Sequence, residues 1–124
     1  MKILVVDDEE VIRDSLTGFL MTEGHECRVA KNGLEALRLI EDEVPQVVFA
    51  DVRMPFMGGL TLLDLINQLY PSHSIHVIII TGHANNEEEI QAVRDGAAAI
   101  IQKPLSTDEI LHRLNALNEE RDVT

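Results

Sequence analysis

Three short apolar runs constrain this chain more than any other feature. Ile3–Val6, Val47–Ala50 and Val77–Ile80 are continuous, of strand length and largely β-branched. A strand that is apolar at every position buries both of its faces, as the inner strands of a helix-covered parallel sheet do. Glu26–Ala30 is more polar and predicts an edge strand, and Ala98–Gln102 predicts a fifth strand.

Helical patterns fill the gaps. Ile12, Leu16, Phe19 and Leu20 share a helical stripe, and Gly24 is placed to stop it. Asn32 with Glu35 reads as a capping box opening Leu34–Glu43. Leu60, Leu63, Ile66 and Leu69 predict a third helix ended by Pro71. Asn86 with Glu89 opens a fourth, with a thin stripe of Ile90, Val93 and Ala97, closing at Gly96. Ser106 with Glu109 caps a fifth carrying Ile110, Leu111, Leu114 and Leu117. The fold class is therefore α/β, a doubly wound (βα)5 three-layer sandwich with right-handed crossovers. Its 124 residues suit a single domain, 1–124, in which 118–124 read as a polar tail or the start of a linker.

The formal net charge of −12 argues against a nucleic-acid or anionic-membrane surface. Cys27 is the only cysteine, so no intrachain disulfide is possible. One lysine and the apolar run Ile3–Val6 before Asp7 are too little to predict a signal peptide, no apolar run reaches membrane length, and the expected location is the cytoplasm.

Ligands of open α/β sheets bind beyond the carboxyl ends of the strands. Asp7 and Asp8 follow the first run, Asp51 the third, Thr81 the fourth and Lys103 the fifth. Each residue alone has an ordinary reading: a helix-start acid, a turn aspartate, a strand threonine, a loop lysine. Their shared rim is what points to chemistry. Three clustered carboxylates resist full ionisation, and a hard divalent cation such as Mg2+ relieves them. With Lys103 and the Thr81 hydroxyl, the set suits phosphoryl transfer onto an Asp51 oxygen.

The segments MKILVVDDEE, VVFADVRMPFMGGLTLL, VIIITGHA and DGAAAIIQKP resemble the response-regulator receiver domain over essentially the whole chain. The resemblance implies a flavodoxin-like sheet in the order 2-1-3-4-5. It implies that Asp51 is the phospho-acceptor and that Mg2+ is held by Asp7, Asp8, Asp51 and the Arg53 backbone carbonyl. It makes Thr81 the switch hydroxyl and Lys103 the family's lysine, with a cis peptide bond before Pro104 that turns Lys103 into the pocket. Arg53 and His83 occupy positions that flank the phosphoryl group. The implied partners are a sensor histidine kinase or histidine phosphotransfer protein and a downstream output domain or protein. A surface made of the fourth helix, fifth strand and fifth helix would switch, and could form a homodimer.

The sequence departs from the pattern at Ile100, where the family has Tyr or Phe; an aliphatic side chain offers the switch neither ring nor hydroxyl. Gly58 and Gly59 predict a mobile turn after the acceptor loop. Two other readings compete. An aspartyl-nucleophile phosphatase would carry an Asp-x-Asp pattern after its first strand, where this chain has Asp7-Asp8-Glu9. A receiver-shaped interaction module would have the fold without the phospho-switch. A flavin or nucleotide domain is disfavoured by the absence of a G-x-G-x-x-G or phosphate loop.

Overall fold

In the computed structural model, residues 1–82 and 86–123 are described, without the side chains of 86 and 119–123. Strands and helices alternate from end to end: β1 Lys2–Val6, α1 Glu10–Thr22, β2 Glu26–Ala30, α2 Gly33–Asp42, β3 Val47–Asp51, α3 Gly59–Leu69, β4 His76–Thr81, α4 Asn86–Arg94, β5 Ala99–Gln102 and α5 Thr107–Val123. The five strands form one parallel sheet in the order β2-β1-β3-β4-β5. The more polar β2 lies at an edge, as its composition predicts.

The inner strands show why they are apolar throughout. Alternate side chains of β1, β3 and β4 enter two separate cores. Leu4, Val6, Val48, Ala50, Val77 and Ile79 face Ala36, Ile40, Leu62, Leu63 and Ile66 of α2 and α3. Ile3, Val5, Phe49, Ile78 and Ile80 face Leu16 and Leu20 of α1 and Ile110, Leu114 and Leu117 of α5. No helix of the described residues is long and apolar enough to cross a membrane.

Local signals set several boundaries. The Asn32 side chain accepts a hydrogen bond from the Glu35 N–H at 2.9 Å and so caps α2. Gly24 follows α1 at φ 87°, and its N–H closes on the Met21 carbonyl at 3.0 Å. Ser106 Oγ accepts from the Glu109 N–H at 3.4 Å at the start of α5.

The backbone of 118–123 continues α5 as helix, and no Gly or Pro interrupts that stretch. Two expectations shift. In α3 the buried side chains are Leu62, Leu63 and Ile66, whereas Leu69 is exposed in the last turn. In α4 the stripe of Ile90 and Val93 faces outward, 56% and 69% exposed, and Ala92 takes the core position instead. A nine-residue helix is too short for periodicity to fix its phase, and the small Ala92 lets α4 lie close to the sheet.

Candidate functional site

The parallel register brings the strand ends together at one rim. Asp7 follows β1 directly, and its N–H donates to the Ala30 carbonyl at 3.2 Å. Asp51 closes β3 beside Ile80 of β4, and Thr81 closes β4 beside Gln102 of β5. The Lys103 N–H donates to the Thr81 carbonyl at 2.8 Å, so the residue carrying the ammonium is fixed to the same rim. Among the described residues, Asp7, Asp51 and Thr81 are the buried polar ones, at 1%, 4% and 4% exposure. Buried polar groups are costly without partners, so their partners define the site.

Lys103 is the cation that gathers the acids. Its Nζ donates to Asp51 Oδ2 at 2.8 Å, and lies 3.8 Å from Asp7 Oδ2 and 3.5 Å from Glu9 Oε1. Burial disfavours the ammonium, yet the hydrogen bond and charge of Asp51, with Asp7 and Glu9 behind it, raise the Lys103 pKa above its ordinary value. The other Asp51 oxygen, Oδ1, accepts from the Arg53 N–H at 3.1 Å. The peptide bond between Lys103 and Pro104 is cis.

The acids outnumber this cation. Asp7 Oδ1 accepts from the Glu9 N–H at 2.8 Å, and Arg13 holds the Asp7 backbone carbonyl at 2.7 Å. Asp7 Oδ2 is buried and has no hydrogen-bond partner among the described residues. Burial, reinforced by the charges of Asp51 and Asp8, pushes the Asp7 carboxyl up from 3.8 to about 6, against the pull of the Glu9 N–H and Lys103. Carboxylate oxygens of Asp7, Asp8, Glu9 and Asp51 lie within 4.8 Å of one another. An all-oxygen set of this size, with one buried oxygen unpaired, fits a hard divalent cation.

Each residue singled out from sequence can now be placed. Asp7, Asp51 and Lys103 converge, with Asp8 on the exposed side of the same cluster and buried Thr81 at the neighbouring strand end. Arg53 touches Asp51 through its backbone, while its guanidinium turns away to Glu88 at 3.2 Å. Ile100 is half-buried against the α2–α3–α4 side of the sheet. His83 lies outside the described residues.

Gly58 and Gly59 have a reason other than mobility. A Cβ on Gly59 would come within 2.5 Å of the Asp51 carbonyl oxygen, and one on Gly58 would meet the Val52 carbonyl oxygen. The Gly59 N–H donates to that Val52 carbonyl at 3.2 Å. The two glycines therefore let α3 start hard against the acceptor loop. Sequence reasoning missed Glu9 as a cluster member, Arg13 as the clamp on Asp7, and Glu88. Glu9 had a signal, since it adjoins the acidic pair; the other two depend on how α1 and α4 dock.

A sheet of this order, with acids, a threonine and a lysine at its carboxyl rim, defines a class that known proteins share. The family model of the response regulator receiver domain matches residues 3–115, and the chain belongs to that family. Over 107 residues it is 37% identical to the DNA-binding transcriptional regulator NtrC of Proteus hauseri, covering 86% of this chain and 22% of that protein. The chain thus spans about a fifth of the length of such relatives. The receiver domain of NtrX from Brucella abortus superposes with a TM-score of 0.84 at 43% identity, covering 94% of this chain and 98% of that one. A CheY-like receiver domain protein from Methanospirillum hungatei JF-1 gives a TM-score of 0.90 at 32% identity, covering 98% and 95%. Receiver domains are signalling domains of two-component systems that bind Mg2+ at an acidic cluster, and this chain has such a cluster in Asp7, Asp8, Glu9 and Asp51.

Proposed function

We propose that this receiver domain accepts a phosphoryl group on Asp51 from a phosphohistidine of a sensor kinase or phosphotransfer protein. The observation that carries the reading is the 2.8 Å contact between Lys103 Nζ and Asp51 Oδ2, made inside a cluster of acids that one cation cannot neutralise. Asp7, Asp8, Asp51 and the Arg53 carbonyl would hold Mg2+. Bound there, Mg2+ supplies positive charge to the phosphoryl oxygens.

The chain's own residues do the rest. Arg53 N–H and Lys103 orient the Asp51 carboxylate. One Asp51 oxygen attacks phosphorus in line; the P–O bond forms as the P–N bond of the donor histidine breaks, and the imidazole nitrogen keeps the electron pair. Lys103 then stabilises charge on a phosphoryl oxygen, and the Thr81 hydroxyl hydrogen-bonds another. Hydrolysis by water regenerates the Asp51 carboxylate and releases inorganic phosphate, so there is no turnover of an outside substrate. The phosphoryl group draws Thr81 inward and repacks α4, β5 and α5, with Ile100 as an aliphatic rather than aromatic element. That surface meets an output domain or partner, or a second copy of the chain.

Incubation with Mg2+ and acetyl phosphate, beside an Asp51→Asn variant, tests this. A labile adduct that requires both Asp51 and Mg2+ is expected. Absence of an adduct on the wild-type protein would favour a silent interaction module, and steady turnover of phosphate esters a phosphatase.

A further inference from the structure

The Arg53 side chain is not spent on the acceptor site, and where it goes links that site to the least anchored helix. We infer that Glu88 is a positioning residue: it holds the Arg53 guanidinium against α4 until a phosphoryl group on Asp51 draws it away. The inference rests on the phospho-acceptor reading of Asp51.

Three observations carry it. First, Arg53 touches both elements: its N–H donates to Asp51 Oδ1 at 3.1 Å, and its guanidinium meets Glu88 Oε1 at 3.2 Å. Second, Glu88 is the more buried partner, with a side chain 24% exposed against 66% for Arg53, and its Oε2 is buried without a hydrogen-bond partner among the described residues. A carboxylate placed this way leans on the Arg53 cation, whereas the more exposed guanidinium is free to swing. Third, α4 buries little apolar surface among the described residues. Ala92 is its fully buried apolar residue, and Ile90 and Val93 point outward. An element with so little burial has a small gap between packings.

A phosphoryl group on Asp51 changes the competition for Arg53. It carries close to two negative charges and three acceptor oxygens, in a geometry the guanidinium fork matches, against the single charge of Glu88. Arg53 moving to the phosphoryl group leaves Glu88 without its partner and loosens the first turn of α4. The charge gained at Asp51 thereby reaches α4 through one side chain, without any aromatic residue at position 100.

The test compares wild type, Glu88→Gln, Arg53→Gln and Arg53→Lys, each with and without Mg2+ and beryllofluoride. Amide exchange is followed over residues 87–94, and fluorine NMR reports whether the mimic binds. Beryllofluoride is expected to accelerate α4 exchange in the wild type by roughly two- to fivefold, the range of a partly exposed ion pair. Glu88→Gln and Arg53→Gln should sit at the accelerated level already and barely respond, while Arg53→Lys, which keeps the charge without the fork, gives a response between that of Arg53→Gln and that of the wild type. The rate of phosphorylation by acetyl phosphate separates positioning from simple loosening. Glu88→Gln frees the guanidinium and speeds the reaction, Arg53→Gln removes it and slows the reaction, and loosening alone would move both variants the same way. The inference is overturned if the mimic binds and α4 exchange in the wild type stays unchanged, or if both variants shift the rate in one direction. Failure of the wild type to bind the mimic at all would instead overturn the phospho-acceptor reading.

Discussion

Replacing Asp7 by Asn should stabilise the metal-free protein at neutral pH. The Asp7 carboxyl is pushed up to about 6 from 3.8 in the folded state, chiefly by burial. A raised carboxyl pKa means that the folded chain holds this proton more tightly than the unfolded chain does. The contribution is fully present below pH 3.8 and is lost as pH rises through about 6. At 1.36 kcal/mol per unit, ionised Asp7 costs the fold up to about 3 kcal/mol at pH 7.5. Asn keeps the Oδ1 acceptor for the Glu9 N–H and places an amide N–H where the unpaired Oδ2 lies, close to Lys103 and Asp51. The expected gain, read by urea unfolding in chelator, is about 1–3 kcal/mol at pH 7.5 and close to zero near pH 4. Added Mg2+ should stabilise the wild type by mass action and the variant much less, which closes the gap. An Asn variant that is less stable than the wild type at pH 7.5, or a gain equally large near pH 4, would refute the reasoning.

Other substitutions separate the contributions to the site. Lys103→Ala leaves Asp51 Oδ2 without its 2.8 Å donor, and should destabilise the metal-free protein by roughly 1–3 kcal/mol at pH 7.5 in the same urea assay. Gly59→Ala drives a Cβ into the Asp51 carbonyl; overpacking of about 1–3 kcal/mol is expected, with slower phosphorylation by acetyl phosphate because the acceptor loop must move. Asn32→Ala removes the α2 cap at a cost of about 1 kcal/mol in thermal or urea unfolding, with the phosphorylation rate unchanged.

The sheet was legible because β1, β3 and β4 are buried on both faces, and only a helix-covered parallel sheet makes uninterrupted apolar runs useful. Strand ends then followed from the runs, and with them the convergence of Asp7, Asp51 and Lys103. The order β2-β1-β3-β4-β5 came from the family resemblance instead, since periodicity does not say which strands are neighbours. What stayed hidden depends on docking rather than on pattern. Ala92 rather than Ile90 or Val93 anchors α4, and so turns Glu88 toward Arg53. Arg13 reaches the Asp7 carbonyl only because α1 packs across the end of β1. Gly58 and Gly59 read as loose in sequence, yet close backbone approach demands them, a constraint that the residues themselves do not encode.

The central claim is that Asp51 carries the phosphoryl group, and reductive trapping tests it most directly. Borohydride converts an aspartyl phosphate to homoserine, which peptide mass spectrometry locates. After incubation with Mg2+ and acetyl phosphate, the account predicts homoserine at position 51 and none when Mg2+ is chelated. Homoserine at position 7 or 8, or none anywhere while the protein still binds Mg2+, would contradict it.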